Sequence, residues 1–129
     1  MKKNANYNAI ELMCVIASRY LEDGKVIFTG TGIPMVAAGL SQKTHTPNLI
    51  LVFEAGGISP QPSILPLSVA DSRTTYRAIS CASMPEAMEM MQKGVVTYAF
   101  LGGAQINMYG DLNSTLIGDD YYHPKTRLP

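Results

Sequence analysis

The stretch from Val26 to Gly57 limits the folds open to this chain more than any other. Val26-Ile27-Phe28-Thr29 runs into Gly30-Thr31-Gly32-Ile33-Pro34, and an Ala- and Gly-rich run follows to Lys43. After Thr46-Pro47 comes a second apolar run, Leu49-Ile50-Leu51-Val52-Phe53, closed by Glu54-Ala55-Gly56-Gly57. A short β-branched run, a glycine turn, a helical run and a second apolar run predict β-turn-α-β. Neither strand alternates apolar with polar, the pattern of a parallel sheet covered on both faces. The expected fold is therefore α/β: three layers, with an open, mostly parallel sheet between helices. At 129 residues, one domain over residues 1–129 holds one core. Open α/β sheets bind ligands at the carboxyl ends of their strands. Glu54 stands at such an end, with little side chain after it.

The rest of the chain supplies helices and turns around that unit. Asn8 and Glu11 have the spacing of a capping box. Ile10, Met13, Cys14, Ala17 and Leu21 fall on one helical stripe, widened by Ile16 and Tyr20. Gly24 is a natural terminator, so a helix is expected from about Ala9 to Glu22. Cys14 reads as a small buried hydrophobe. The next helix is expected to begin at Pro34 and to end before Thr46-Pro47. His45 lies in that polar connection and reads as a surface residue. Ile58 to Pro66 and on to about Asp71 is a long proline-rich loop, a candidate for shaping a ligand pocket. Arg77–Cys81 is a candidate short strand. Ser83-Met84-Pro85-Glu86 is a second capping box, with Ala87, Met88 and Met91 as the apolar face and Gly94 as the stop. Val95–Leu101 is expected to be a buried strand ending in Gly102-Gly103-Ala104-Gln105, a second strand-to-glycine junction. Asn107–Gly118 reads as loop or weak strand.

Charge and cysteine content narrow the chemistry. Ten Lys plus Arg balance ten Asp plus Glu, so no basic field invites nucleic acid. No apolar run is long enough to span a bilayer. Lys2 and Lys3 lead into a polar stretch, which does not read as a signal peptide, and the expected setting is cytoplasmic. Cys14 and Cys81 form neither a disulfide framework nor a zinc pattern. Asp119, Asp120 and His123 lack partners at metal-ligand spacing, so no metal site is expected.

Two chemical readings compete for Glu54. In the first, Gly30-Thr31-Gly32 begins a dinucleotide turn and Glu54, 24 residues after Gly30, grips a ribose. Met35 occupies the third-glycine position and Pro34 sits inside the motif, both against that reading. In the second, Glu54 is a nucleophile. A carboxylate is ionised at neutral pH without a helper base, and it attacks when an electrophile is held in line. Gly56 and Gly57 would then leave room for a bulky acyl thioester. A solvated glutamate at a strand end is the plain structural alternative.

Three segments in series carry a resemblance: Thr29-Gly30-Thr31-Gly32-Ile33-Pro34, Phe53-Glu54-Ala55-Gly56-Gly57 and Phe100-Leu101-Gly102-Gly103-Ala104-Gln105. Their order and spacing resemble the β subunit of family I CoA-transferases, nearest to the glutaconate CoA-transferase type, from about Glu11 to the last residue. The resemblance implies that Glu54 is the catalytic nucleophile. It implies a ping-pong transfer of CoA from an acyl-CoA to a carboxylic acid through a glutamyl-CoA thioester. Gly30, Gly32, Gly56, Gly57, Gly102, Gly103 and Gln105 are the expected contacts to CoA and acyl group. Coenzyme A is implied as substrate, with no tightly bound cofactor. Ala55-Gly56-Gly57 departs from the Glu-Asn-Gly junction of many members and leaves the donor acid open.

The resemblance also implies an α subunit as partner, carrying the glycine-rich loop that supplies the oxyanion donors. Members continue past the Arg127-Leu128-Pro129 end into a glycine-rich segment, so this chain is expected to be an N-terminal half. Alone it is expected to be inactive and to self-associate or require its partner. A related acyl-CoA hydrolase or decarboxylase subunit, or a noncatalytic CoA- or dinucleotide-binding module, remains the alternative function.

Overall fold

The computed structural model describes residues 6–128; Lys2, Lys3 and Pro129 lie outside the described residues. The central unit is the expected one. β1 (Val26–Thr29), α2 (Ile33–Thr44) and β2 (Ile50–Phe53) follow α1 (Ala9–Ser18). β1 pairs in parallel with β2 on one side and with β5 (Tyr98–Phe100) on the other. Beyond β2 lie two short antiparallel strands, β3 (Gly57–Ile58) and β4 (Ser80–Cys81), giving the order β4-β3-β2-β1-β5. The three longest strands are thus parallel, and the antiparallel pairings of this sheet are confined to one edge.

Three layers follow from the side chains of β1 and β2. Ile27, Leu51 and Phe53 face α2 and Leu21, joining Met35, Ala38 and Leu49 in one buried cluster. Phe28 and Val52 face the other way, onto Ala87, Met88 and Met91 of α3 (Met84–Gln92). Burying each such side chain is worth about 1.5–3 kcal/mol. Ile27, Phe28, Leu51, Val52 and Phe53 are each 4% exposed or less, so these two strands carry most of the sheet's stability. The capping boxes at Asn8–Glu11 and Ser83–Glu86 both close as expected, each side chain bonding the other residue's backbone N–H.

Several elements differ from expectation. α1 stops at Ser18, before the expected Glu22, and its apolar stripe is only half used. Cys14 and Ser18 are buried, whereas Ile10, Met13, Ile16 and Tyr20 stay exposed, the last three beside Phe100 around an apolar groove of 440 Å³. The sheet ends at β5, so among the described residues no strand lies opposite that stripe. For the same reason the expected buried strand Val95–Leu101 is a half-buried edge strand of three residues, with Ala99 exposed. The region after it forms two small antiparallel hairpins: β6 (Gln105–Ile106) with β7 (Leu112–Asn113), and β8 (Leu116–Ile117) with β9 (Thr126–Arg127).

The long loop is ordered by its own contacts. The Asp71 carboxylate accepts hydrogen bonds from Arg73 Nε at 2.9 Å and from the Leu67 N–H at 3.1 Å. The Arg73 guanidinium first, then the Arg73 and Leu67 N–H groups, hold the Asp71 carboxyl well below its ordinary value. A group depressed in the folded state gives stability that is full above its unfolded pKa of about 4 and is lost as pH falls below it. Wild-type chain should therefore lose stability on acidification from about pH 5 to pH 2 more steeply than Asp71→Asn. Unfolding midpoints measured across that range check this, and parallel curves would contradict it.

Candidate active site

The parallel register brings three chain segments to one end of the sheet. Thr29, last in β1, is the partner of both Phe53 and Phe100. The next residues on the three strands are Gly30, Glu54 and Leu101, so they leave the sheet side by side. The Gly30 N–H donates to the Phe100 carbonyl at 2.9 Å, tying the first junction to the third. A Cβ at Gly30 would sit 3.4 Å from Glu54 Oε1 and 3.4 Å from Leu101 Cδ2. Glycine there leaves the Glu54 carboxylate lying over the backbone of the first turn.

Glu54 is half-buried. Among the described residues, no side chain forms an ion pair or hydrogen bond with it. An unpaired carboxylate keeps its lone pairs available for an incoming carbon, whereas one clamped by arginine would not. Thr29 is fully buried beneath the junction. The carboxylate thus has a firm base and an open side.

The remaining candidate residues divide by position. Gly32 is the N-cap of α2, exposed, with φ +85° and nothing within 4 Å of its Cβ position. Gly102 and Gly103 share a 350 Å³ cleft with Ile33 and Pro34 at the start of α2 and with Leu101. Gln105 lies further out, on β6, where its side-chain oxygen accepts from Asn113 Nδ2 at 2.7 Å. Gly56 and Gly57 are buried, and their free faces are taken by the chain itself. A Cβ at Gly56 would lie 1.8 Å from the Ala82 carbonyl oxygen, and one at Gly57 1.8 Å from that of Thr74. These glycines admit neighbouring backbone, which differs from the expected room for a thioester.

The loop expected to shape an acyl pocket also runs elsewhere. β3 pairs antiparallel with β2, and the Ser59 N–H donates to the Leu51 carbonyl at 2.7 Å. Ile58–Gln61 therefore leads back along β2, away from Glu54. The backbone packed beside the Glu54–Gly57 turn comes from Thr74–Thr75 and Ala82. Leu101 is the residue that sequence reasoning missed. It is 59% exposed, touches the Gly30 position and lines the cleft. Its signal in the sequence is an apolar residue directly before the Gly-Gly of a strand end. Among the described residues, no cluster of His, Cys, Asp and Glu has the makings of a metal site, and no helix is long and apolar enough to cross a membrane.

A carboxylate at the end of a parallel strand, between two glycine turns, is one solution to acyl-group chemistry, and residues 10–129 match the sequence pattern of the coenzyme A transferases. The chain belongs to that family. The β subunit of the 3-oxoadipate CoA-transferase of Pseudomonas knackmussii is 40% identical over 124 residues, covering 95% of this chain and 47% of that protein. The β subunit of the glutaconate CoA-transferase of Acidaminococcus fermentans is 35% identical over 135 aligned positions, covering 99% of this chain and 50% of that protein. The crystal structure of that organism's glutaconate CoA-transferase superposes with a TM-score of 0.82 at 32% identity, over 95% of this chain and 49% of the other. The decarboxylase AibA/AibB superposes with a TM-score of 0.81 over 95% of this chain and 51% of its own, at 24% identity, a likeness of fold alone. The chain spans about half the length of the curated relatives it matches.

Proposed function

We propose that this chain is the nucleophile-bearing part of a CoA-transferase β subunit, and that it moves CoA between an acyl-CoA and a carboxylic acid. One observation carries the reading: Glu54 stands unpaired at the carboxyl end of β2, against Gly30 and beside Leu101. The family and its two relatives, both β subunits, support the reaction class.

The steps follow from carboxylate chemistry. A Glu54 oxygen attacks the thioester carbonyl carbon, and CoA leaves as thiolate, giving a mixed anhydride. The thiolate then attacks the glutamyl carbonyl and expels the first acid as carboxylate, leaving a Glu54–CoA thioester. An acceptor carboxylate attacks that thioester and displaces the thiolate into a second anhydride. The thiolate attacks the acceptor's acyl carbon, forming the new acyl-CoA and freeing Glu54. Each attack builds negative charge on a carbonyl oxygen. Preorganised donors for such an oxygen are worth about 3–4 kcal/mol each. The Gly30 N–H is already bonded to Phe100, so the donors are assigned to an α subunit. The cleft at Ile33, Pro34 and Leu101–Gly103 is the proposed path of the CoA arm, and water exclusion there favours transfer over hydrolysis.

Reconstitution tests this reading. Transfer of CoA from a donor thioester, assayed with glutaryl-CoA and acetate, should need both this chain and a CoA-transferase α subunit. The chain alone should give less than about 1% of the reconstituted rate, given the missing oxyanion donors. Substantial turnover by the chain alone would contradict the two-subunit site. Hydrolysis without transfer in the mixture would favour the hydrolase alternative.

A further inference from the structure

A second concavity lies on the α2 face of the sheet, away from the Glu54–Leu101 end. It is a trough of 290 Å³ between α2 and the segment Pro60–Leu65. Its floor is apolar: Met35, Leu51 and Phe53 are 2%, 4% and 1% exposed. Leu65 leans over it from the loop. Lys43, in the last turn of α2, lines one end, is exposed, and forms no ion pair among the described residues.

Gly39 makes this trough more than a packing fault. It sits in the interior of α2 and lines the trough. Its φ is not positive, and nothing lies within 4 Å of the Cβ position. Neither backbone conformation nor close packing calls for glycine, while alanine is the better helix former. What glycine preserves at this position is open volume.

We propose that the trough binds a small aliphatic carboxylate, its chain lying over Gly39 on Met35, Leu51 and Phe53, its carboxylate facing Lys43. Apolar walls with a single cation at one end suit an amphiphilic anion of that kind. At about 30 Å³ per heavy atom, the share of one water, the trough holds roughly ten. That matches an acid of medium chain length and excludes CoA itself. The site is distinct from the Glu54 junction, and Phe53, directly before Glu54, gives it a physical connection to that residue.

The test is titration of the intact 129-residue chain with hexanoate, followed by backbone amide NMR. Saturable shifts are expected at Gly39, Leu51 and Leu65, with a midpoint on the order of 1 mM. Hexan-1-ol serves as the neutral probe. Lys43→Gln should weaken hexanoate by roughly 2- to 5-fold and leave hexanol unchanged. Gly39→Leu fills the trough and should abolish saturable binding. Gly39→Ala should weaken binding while raising the thermal midpoint by a few degrees, which keeps the test valid if the leucine variant fails to fold. Absence of saturable shifts would overturn the site. So would binding unchanged in folded Gly39 variants, or hexanoate and hexanol binding equally with no effect of Lys43→Gln.

Discussion

Glu54→Gln eliminates CoA transfer by the chain assembled with an α subunit, to the floor of the assay. The amide has nearly the same shape and no nucleophilic oxygen, so no anhydride forms. Glu54→Asp keeps the charge but draws it back by one methylene. Misplacing a reacting group by about 1 Å costs roughly 10²-fold, so the aspartate variant should lose at least that much. Both variants should fold like the wild type, because Glu54 is half-buried and makes no hydrogen bond or ion pair among the described residues. Initial rates of thioester exchange, beside thermal unfolding of each variant, check both points. An acid that only held a ribose would tolerate aspartate. Retained transfer in Glu54→Asp would therefore speak for a binding role.

The second large effect is on stability. Gly56→Ala or Gly57→Ala should cost well over about 3 kcal/mol, a loss found only when a buried site cannot relax. The new methyl would meet backbone oxygen at 1.8 Å in each case. Backbone cannot rotate aside as a side chain can. At Gly56 the φ of +94° adds strain, and the clash falls on Ala82, whose N–H donates to the Gly56 carbonyl at 2.8 Å. Total stability of a domain this size is about 5–15 kcal/mol, so either variant should be largely unfolded or insoluble. Gly32→Ala is the control. It has positive φ and open space around it, so it should cost only about 1–2 kcal/mol. Chemical denaturation of the three variants gives the comparison, and equal losses would remove the distinction between crowded and merely strained glycines.

The centre of the fold was legible in the sequence because its signals agree. Val26–Thr29 and Ile50–Phe53 are short, unalternating and bounded by turn residues, and the structure buries them on both faces. Ser83 and Glu86 mark the start of α3 by a mutual hydrogen-bond pattern that tertiary context does not override. Burial of α1 was not legible in the same way. Ile10, Met13, Ile16 and Tyr20 show a helical period, but period says which face is apolar and not whether anything lies opposite. Val95–Leu101 reads as a buried strand for the same reason, while its edge position follows from pairing alone.

The candidate site divides along a similar line. A strand-end acid and two glycine junctions can be read from spacing and the parallel pattern, and the register places Gly30, Glu54 and Leu101 together. What a glycine is for cannot be read that way. Gly56 and Gly57 look like open ground for a ligand, yet Ala82 and Thr74, distant in sequence, fill that space. The direction of the proline-rich loop was equally hidden, because it depends on the antiparallel turn of β3 against β2.

The central claim is that Glu54 becomes covalently bonded to CoA. The direct measurement is mass spectrometry of the chain after incubation with α subunit and donor acyl-CoA, then trapping with borohydride or hydroxylamine and peptide mapping. The expected result is a modification on Glu54 that needs both partner and donor, and that disappears in Glu54→Gln. Full transferase turnover with an unmodified Glu54, or trapping on a different residue, would contradict it.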